Sequence, residues 1–186
     1  MRSVEITQTL HVTDRVAWRQ WLMDNHKAAR EIWLVSYKAI TKKPRISYLD
    51  SVEEALCFGW IDGIAKSLDA ESTAQRFTPR RPNSHWTELN KERARRLIAQ
   101  GLMTEAGFAA LPDLSLEAFS IPPDILEALQ ADSQIWANFQ AFPPLYQRIR
   151  ISYINEQRRN PTEFDKRLHS FLKRTRENKM FGQWRD

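Results

Sequence analysis

Apolar positions recur with one spacing early in the chain and another late. In VEITQTLHV (4–12), Val4, Ile6, Leu10 and Val12 fall on one face at period two, with Gln8 as the polar interruption. That spacing predicts a strand. TDRVAWRQWLMDN follows, with Thr13 or Asp14 as helix cap and Val16, Trp18, Trp21 and Leu22 as the apolar positions. EIWLVSYKA (31–39) is rich in β-branched and aromatic residues and predicts a central strand. In YLDSVEEALCFGWIDG, Ser51 and Glu54 fit a capping box. The nearly unbroken apolar run from Ala55 to Ile61 predicts a helix buried on most sides, stopped by Gly63. GIAKSLD and AQRFTP read as two strands of a hairpin around AES.

Beyond residue 84 the pattern is helical. HWTELNKERARRLIAQG predicts a helix capped by Ser84 and stopped by Gly101, with a short helix near 104–110. LPDLSLEAFSIPPD supplies a Pro-rich linker, and helices follow it to the end. Leu145, Ile149 and Ser152 mark one helical face; Phe164, Leu168, Phe171 and Leu172 mark another, opened by Asn160 and Pro161. The order β-α-β-α-β-β predicts an α+β fold: a small, mainly antiparallel sheet with packed helices, then a helical C-terminal half. The expected division is a core over 1–111, a linker over 112–123, and a helical subdomain over 124–186 packed on that core.

Composition narrows the function classes. The 186 residues are 42% hydrophobic and include seven tryptophans, which suits a folded core rather than disorder. Cys57 is the one cysteine, so an internal disulfide is excluded, and its apolar surroundings predict a buried thiol. Residues 1–15 contain no long apolar stretch of a secretory signal, and no segment approaches the roughly 18 apolar residues of a membrane span. The expected location is the cytoplasm. The net charge of +5 is unevenly laid out. Residues 1–75 are neutral, 76–96 carry +5, 97–145 carry −6 with no Lys or Arg, and 146–186 carry +6. The positive segments either present a surface to an anionic partner such as nucleic acid, or neutralise the acidic one within the molecule.

The densest chemistry lies in RFTPRRPNSHW (76–86). Prolines stiffen this loop, and arginines are planar forks suited to carboxylates and phosphates. Arg80, Arg81 and Ser84 precede an expected helix N-terminus, where free N–H groups favour anions. The opposing reading pairs Arg80 or Arg81 with Asp62, Asp69 or the acidic 97–145 segment. Asn90 shares a helical face with Trp86, Ala94 and Leu97, so its amide needs a partner, either the preceding loop or a ligand. The four histidines and one cysteine show no zinc spacing. There is no P-loop, G-x-G-x-x-G or G-x-S-x-G, and neighbouring Ser84 and His85 point apart on a helix entry, so no catalytic residue, metal or cofactor is assigned. Asp62 and Lys66 form an ion pair or contribute to a polar pocket. DKRLHSFLKRTRENK, basic on one side, fits a nucleic-acid or membrane surface, or an ordinary surface helix.

ALCFGWIDGIAKSLD (55–69) and TPRRPNSHWTELNKERARRLIAQGLMTEAG (78–107) resemble the YdeI/OmpD-associated, or bacteriocin-protection, family. The matching positions are Lys38, Cys57 to Asp62, Pro79 to Arg81, Ser84, Trp86, Asn90, Gly101, Met103 and Gly107. The resemblance is carried by about 31–107 and is looser beyond. In the C-terminal half, Gln157-Arg158 stands where the family has Ala-Lys, and Thr162 is followed by Glu163. The resemblance implies protection against bacteriocins and cationic antimicrobial peptides, without a defined reaction. The expected function is a non-enzymatic binding protein that holds a small anionic or aromatic ligand. Arg80 and Arg81 hold the charge, Ser84 caps it, Trp86 or Trp60 stacks, Asn90 orients the loop, and Asp62 and Lys38 complete the set. The alternatives are a nucleic-acid-binding protein using the basic C-terminal helices, and an enzyme of unrecognised type.

Overall fold

The computed structural model describes residues 4–184. Residues 1–3, the start of the segment read above for a secretory signal, and residues 185–186 lie outside them. The fold is α+β. Its elements in chain order are β1 (Thr9–His11), α1 (Arg15–Asn25), β2 (Ile32–Tyr37), a 3-10 turn (Ala39–Thr41), α2 (Tyr48–Cys57), β3 (Trp60–Ser67), β4 (Ser72–Pro79), α3 (Glu88–Ala99), α4 (Glu105–Ala109), α5 (Pro123–Gln130), α6 (Ser133–Ala141), α7 (Pro144–Asn155) and α8 (Pro161–Arg176). The chain divides into two compact units. One comprises residues up to 85 together with 93–112; the other comprises 86–92 together with residues from 113 onward.

The first unit is built on a four-stranded sheet of order β1-β2-β4-β3. The β2–β4 and β3–β4 pairings are antiparallel, as the hairpin pattern predicts. β1 pairs in parallel with β2, so the sheet is mixed. A parallel neighbour needs a crossover, and α1 supplies it. β2 is central: Ile32, Trp33, Leu34 and Val35 are all buried, so both of its faces are covered. The strand predicted over 4–12 is confined to Thr9–His11. Ile6 instead packs on Trp33, Val35 and Ala74, which takes the chain before β1 over that face of the sheet.

Helix ends follow local side-chain chemistry. Of the two cap candidates for α1, Asp14 is the cap, accepting a hydrogen bond from the Ala17 amide at 2.9 Å. The capping box of α2 is one turn earlier than predicted. Ser47 Oγ accepts from the Asp50 amide at 3.0 Å, and Ser51 is inside the helix. Ser47 Oγ also donates to Asp50 Oδ2 at 2.7 Å, so this end of the helix is capped without Glu54, which is free for another role. α2 ends at Cys57 rather than running to Ile61. Gly59, at φ +71°, turns the chain into β3, and Gly63 is a strand residue instead of the helix stop.

That other role is ionic. Glu54 has 2% of its side chain exposed and is clasped by Arg15 Nε and by Arg19 Nη1, the latter at 2.6 Å. Glu53 receives Arg15 Nη1 at 3.0 Å and also Arg96 of α3. Arg19 Nη2 donates to the Leu102 carbonyl at 2.8 Å. Two buried carboxylates thus join α1, α2, the later turns of α3 and the chain after it. Beside this network lie aromatic contacts: Trp18 stacks on Trp21 at 5.4 Å and meets Phe77 at 5.3 Å, and Trp21 meets Trp60 edge-on at 5.8 Å. The end of α2 is packed tightly. A Cβ on Gly59 would lie 2.7 Å from the Ala106 carbonyl oxygen, and one on Gly107 would collide with the Cys57 carbonyl and the Met103 sulfur. Thr104 caps α4 and donates its hydroxyl to the Cys57 carbonyl at 2.6 Å.

The second unit is helical. Ile125, Leu129, Phe139, Tyr146, Ile154 and Phe171 are the centre of its core, and Phe164, Leu168 and Leu172 of α8 pack against it, as their spacing predicts. Asn160 and Pro161 open α8 as expected, with the Asn160 side chain accepting from the Glu163 amide. On α7, Tyr146, Ile149, Arg150, Ile151 and Ile154 are buried; of the predicted stripe Ile149 is among them, while Leu145 and Ser152 are half-buried. Tyr146 displaces Leu145 inward because its ring meets Phe142 and its hydroxyl accepts from the Phe181 amide.

Two predictions follow from the packing of the first unit. Gly107→Ala is expected to lower the unfolding free energy by about 3 kcal/mol. Gly63→Ala, whose added Cβ meets nothing nearer than 3.7 Å, should change it by less than about 0.5 kcal/mol. Urea unfolding followed by tryptophan fluorescence measures both. Glu54→Gln leaves Arg19 without its buried counter-charge and removes one of the two that Arg15 has, and is expected to cost about 3 kcal/mol. Glu71→Gln, removing an exposed partner of Lys43, should leave the urea midpoint unchanged.

Candidate functional site

The two sequence blocks richest in chemistry become neighbouring strands in the first unit. Trp60, Ile61 and Asp62 of β3 stand opposite Pro79, Thr78 and Phe77 of β4. The Arg80 amide donates to the Gly59 carbonyl at 2.9 Å and extends this pairing past the strand end. Arg80 is therefore fixed where β4 leaves the sheet, next to the turn that starts β3.

A polar cluster gathers at this corner. Tyr48, the first residue of α2, donates its hydroxyl to Asp62 Oδ2 at 2.7 Å. Although the residue as a whole is exposed, desolvation at its hydroxyl end and this bond push the phenol up to about 12, while Arg93 opposes the shift. Tyr48 is thus a lasting hydrogen-bond donor at neutral pH. The Arg80 guanidinium is half-buried, and burial holds its pKa down to about 10, with Asp62 pulling in the opposite direction. Its Nη1 reaches toward the His85 carbonyl at 3.5 Å. A positive charge placed at this cost gains from an anion brought close to it.

The other predicted residues are distributed as follows. Arg81 is exposed, and its carbonyl accepts from the Ser84 amide at 3.1 Å, closing a turn in which Asn83 takes φ +61°. Ser84 is not the cap of α3. That helix starts at Glu88, and Thr87 caps it, its Oγ1 accepting from the Asn90 amide at 3.1 Å. Ser84 and Thr87 carry equivalent hydroxyls, and the backbone of Ser84 is already committed to its turn. The predicted alignment of Arg80, Arg81 and Ser84 with a helix N-terminus therefore does not form. Trp60 is 1% exposed, and its indole nitrogen donates to the His26 carbonyl at 3.4 Å. Lys38 lies at the far end of the ladder, roughly 20 Å away along β3. There its ammonium donates to the carbonyls of Asp69 and Ala70 at 3.1 and 2.9 Å and closes the β3–β4 turn. Trp86, which is buried, and Asn90, which is half-buried, belong to the second unit. Tyr48 and Arg93 are members of the corner that the sequence did not single out; no local spacing marks them, since each arrives through the packing of its helix.

Cys57 is buried, and its thiol is pushed up to about 11 by burial and the nearby Glu54, so it is not a thiolate at neutral pH. Among the described residues no group of His, Cys, Asp and Glu has the makings of a metal site. No helix among them is long and apolar enough to cross a membrane. In the second unit the basic C-terminal segment meets the acidic one. Arg158 makes a two-pronged bond to Asp124 at 2.5 and 2.7 Å, and Arg176 pairs with Asp132 at 3.5 Å. On α8, Arg167 is bonded to Glu163, and Arg174 lies over the Phe181 ring at 4.7 Å.

Comparison with known families divides the chain much as its contacts do. Residues 10–110 match the family described as a domain of unknown function, DUF8412. Residues 118–178 match the family described as bacteriocin-protection, YdeI or OmpD-associated. The motif resemblance was placed mainly on 31–107, yet the match to that family falls on α5–α8, where the motif residues are looser. No curated protein and no solved structure matches the chain. The chain therefore belongs to the DUF8412 family through residues 10–110, and its helical segment 118–178 is similar to the family described as bacteriocin-protection, YdeI or OmpD-associated.

Proposed function

We propose that the protein acts in bacteriocin or antimicrobial-peptide protection without catalysing a reaction, as a cytoplasmic protein that binds a small anionic ligand at the Arg80 corner of the first unit. The geometry that carries the reading is the half-buried Arg80 guanidinium, fixed by its amide's bond to the Gly59 carbonyl and near Asp62, which accepts from the Tyr48 hydroxyl. In this reading Arg80 supplies the charge, exposed Arg81 draws the anion in, and Ser84 adds a hydroxyl. Asp62 positions Tyr48 by accepting the hydrogen bond of its hydroxyl, and buried Trp60 anchors the strand that carries Asp62. The link to protection rests on the description of the family matched by residues 118–178.

Thermal melting with phosphates, nucleotides and aliphatic and aromatic carboxylates tests the reading. One class is expected to raise the melting temperature of the wild type by roughly 5–10 °C near a hundredfold excess over its Kd. Arg80→Gln should melt normally and lose that shift, whereas Glu71→Gln keeps it. If no anion shifts the wild type, or if Arg80→Gln responds as the wild type does, the reading fails.

A further inference from the structure

The second unit holds a cavity lined by none of the residues discussed for the Arg80 corner. Its volume is about 160 Å³. Leu89 and Ile149 give it an apolar floor, and Arg150, Ser152, Tyr153 and Glu156 of α7 and the residue after it bring polar groups to it. Thr87 also lines it, but its hydroxyl is committed to capping α3.

Arg150 is unusual among these. It is 6% exposed, and its guanidinium is enclosed by the rings of Tyr153, Phe181 and Tyr146 at 5.1, 5.5 and 5.9 Å. Gly182, at φ +73°, leaves room for it, since a Cβ there would collide with Nη1. Nη2 donates to the Gln183 carbonyl at 3.0 Å, while buried Nε meets no acceptor among the described residues. Burial lowers the pKa of the group below the usual arginine range. An unmatched N–H on a buried cation is unfavourable, and Arg150 is the cation among the residues that line the cavity. The second charge is of opposite sign. Glu156 is exposed, and its Oε1 accepts from Ser152 Oγ at 3.4 Å, while Ser152 Oγ accepts from the Glu88 amide at 3.3 Å.

One cation, one carboxylate and an apolar floor select the occupant. A phosphate or simple carboxylate satisfies Arg150 but is repelled by Glu156. An amine satisfies Glu156 and is repelled by Arg150. A purely apolar molecule answers neither. The volume lies below the roughly 300–1,000 Å³ of pockets for larger ligands and equals about five waters of liquid, which excludes nucleotides. We propose that this cavity binds a free aliphatic amino acid of the size of valine, its carboxylate toward Arg150, its ammonium toward Glu156 and its branched side chain on Leu89 and Ile149.

Calorimetry on the full chain tests this with three probes of one shape: L-valine, 3-methylbutanoate, which lacks the amine, and isobutylamine, which lacks the carboxylate. L-valine is expected to bind one to one, with each analogue weaker by about tenfold or more. Glu156→Gln, a change at an exposed position, should weaken valine by about tenfold and strengthen 3-methylbutanoate. Arg150→Lys, checked for folding by its melting curve, should weaken valine too. The proposal is overturned if wild type shows no saturable binding of valine up to about 10 mM. It is equally overturned if 3-methylbutanoate binds as tightly as valine, or if Glu156→Gln leaves valine binding unchanged.

Discussion

Two carboxylates on adjacent residues of one helix hold the first unit in register. Glu53 and Glu54 are buried on α2, and taking them out of water is unfavourable unless cations come with them. Arg15 and Arg19 on α1 and Arg96 on α3 are those cations. Apolar contacts alone tolerate sliding, whereas a buried carboxylate accepts only arrangements that bring guanidinium groups to it. The placement of α1 and α3 is therefore dictated by ions, and the tryptophans fill the shape that results. Arg19 also binds the Leu102 carbonyl, which extends the same constraint to the chain entering α4.

That entry accounts for four of the positions by which the sequence resembles the bacteriocin-protection pattern. Cys57, whose apolar surroundings predict a buried thiol, joins Gly59, Met103 and Gly107 in a close contact between the end of α2 and α4. With so little space at the Cys57 carbonyl, β3 starts at a fixed point, and Asp62 and Arg80 are placed by it. The packing motif and the charged corner are thus one construction, and the first sets the position of the second.

Features decided within a few residues were legible in the sequence. Asp14 and Asn160-Pro161 cap their helices, β2 is central, and the hairpin forms, its turn at residues 68–71 with Ser72 already in β4. The hairpin was enough to bring CFGWID beside TPRR. Features decided by tertiary partners were not legible. Ser51 and Glu54 imitate a capping box, yet Glu54 is a buried counter-ion, because Ser47 and Asp50 provide the cap a turn earlier. Ser84 and Thr87 compete to start α3 with the same functional group, and only the turn at Arg81 decides between them. Lys38 matched the family pattern, but its ammonium finds three oxygen atoms at the far end of the ladder. Tyr48, Arg93 and Arg150 carry no signature, since their importance arises from what surrounds them.

The separation of charge along the second half has a temporal meaning during synthesis. A ribosome releases the stretch from 97 to 145, without a single Lys or Arg, before the cations at 158 and 176 exist outside it. The early stretch repels itself, and α5 and α6 present Ile125, Leu129, Ile135 and Phe139 before Phe171 and its neighbours on α8 are made. Like charge keeps nascent chains apart while their apolar faces wait. Among the described helices α8 follows α5 and α6 in the chain, and it brings them both Phe171 for the shared core and Arg176 opposite Asp132.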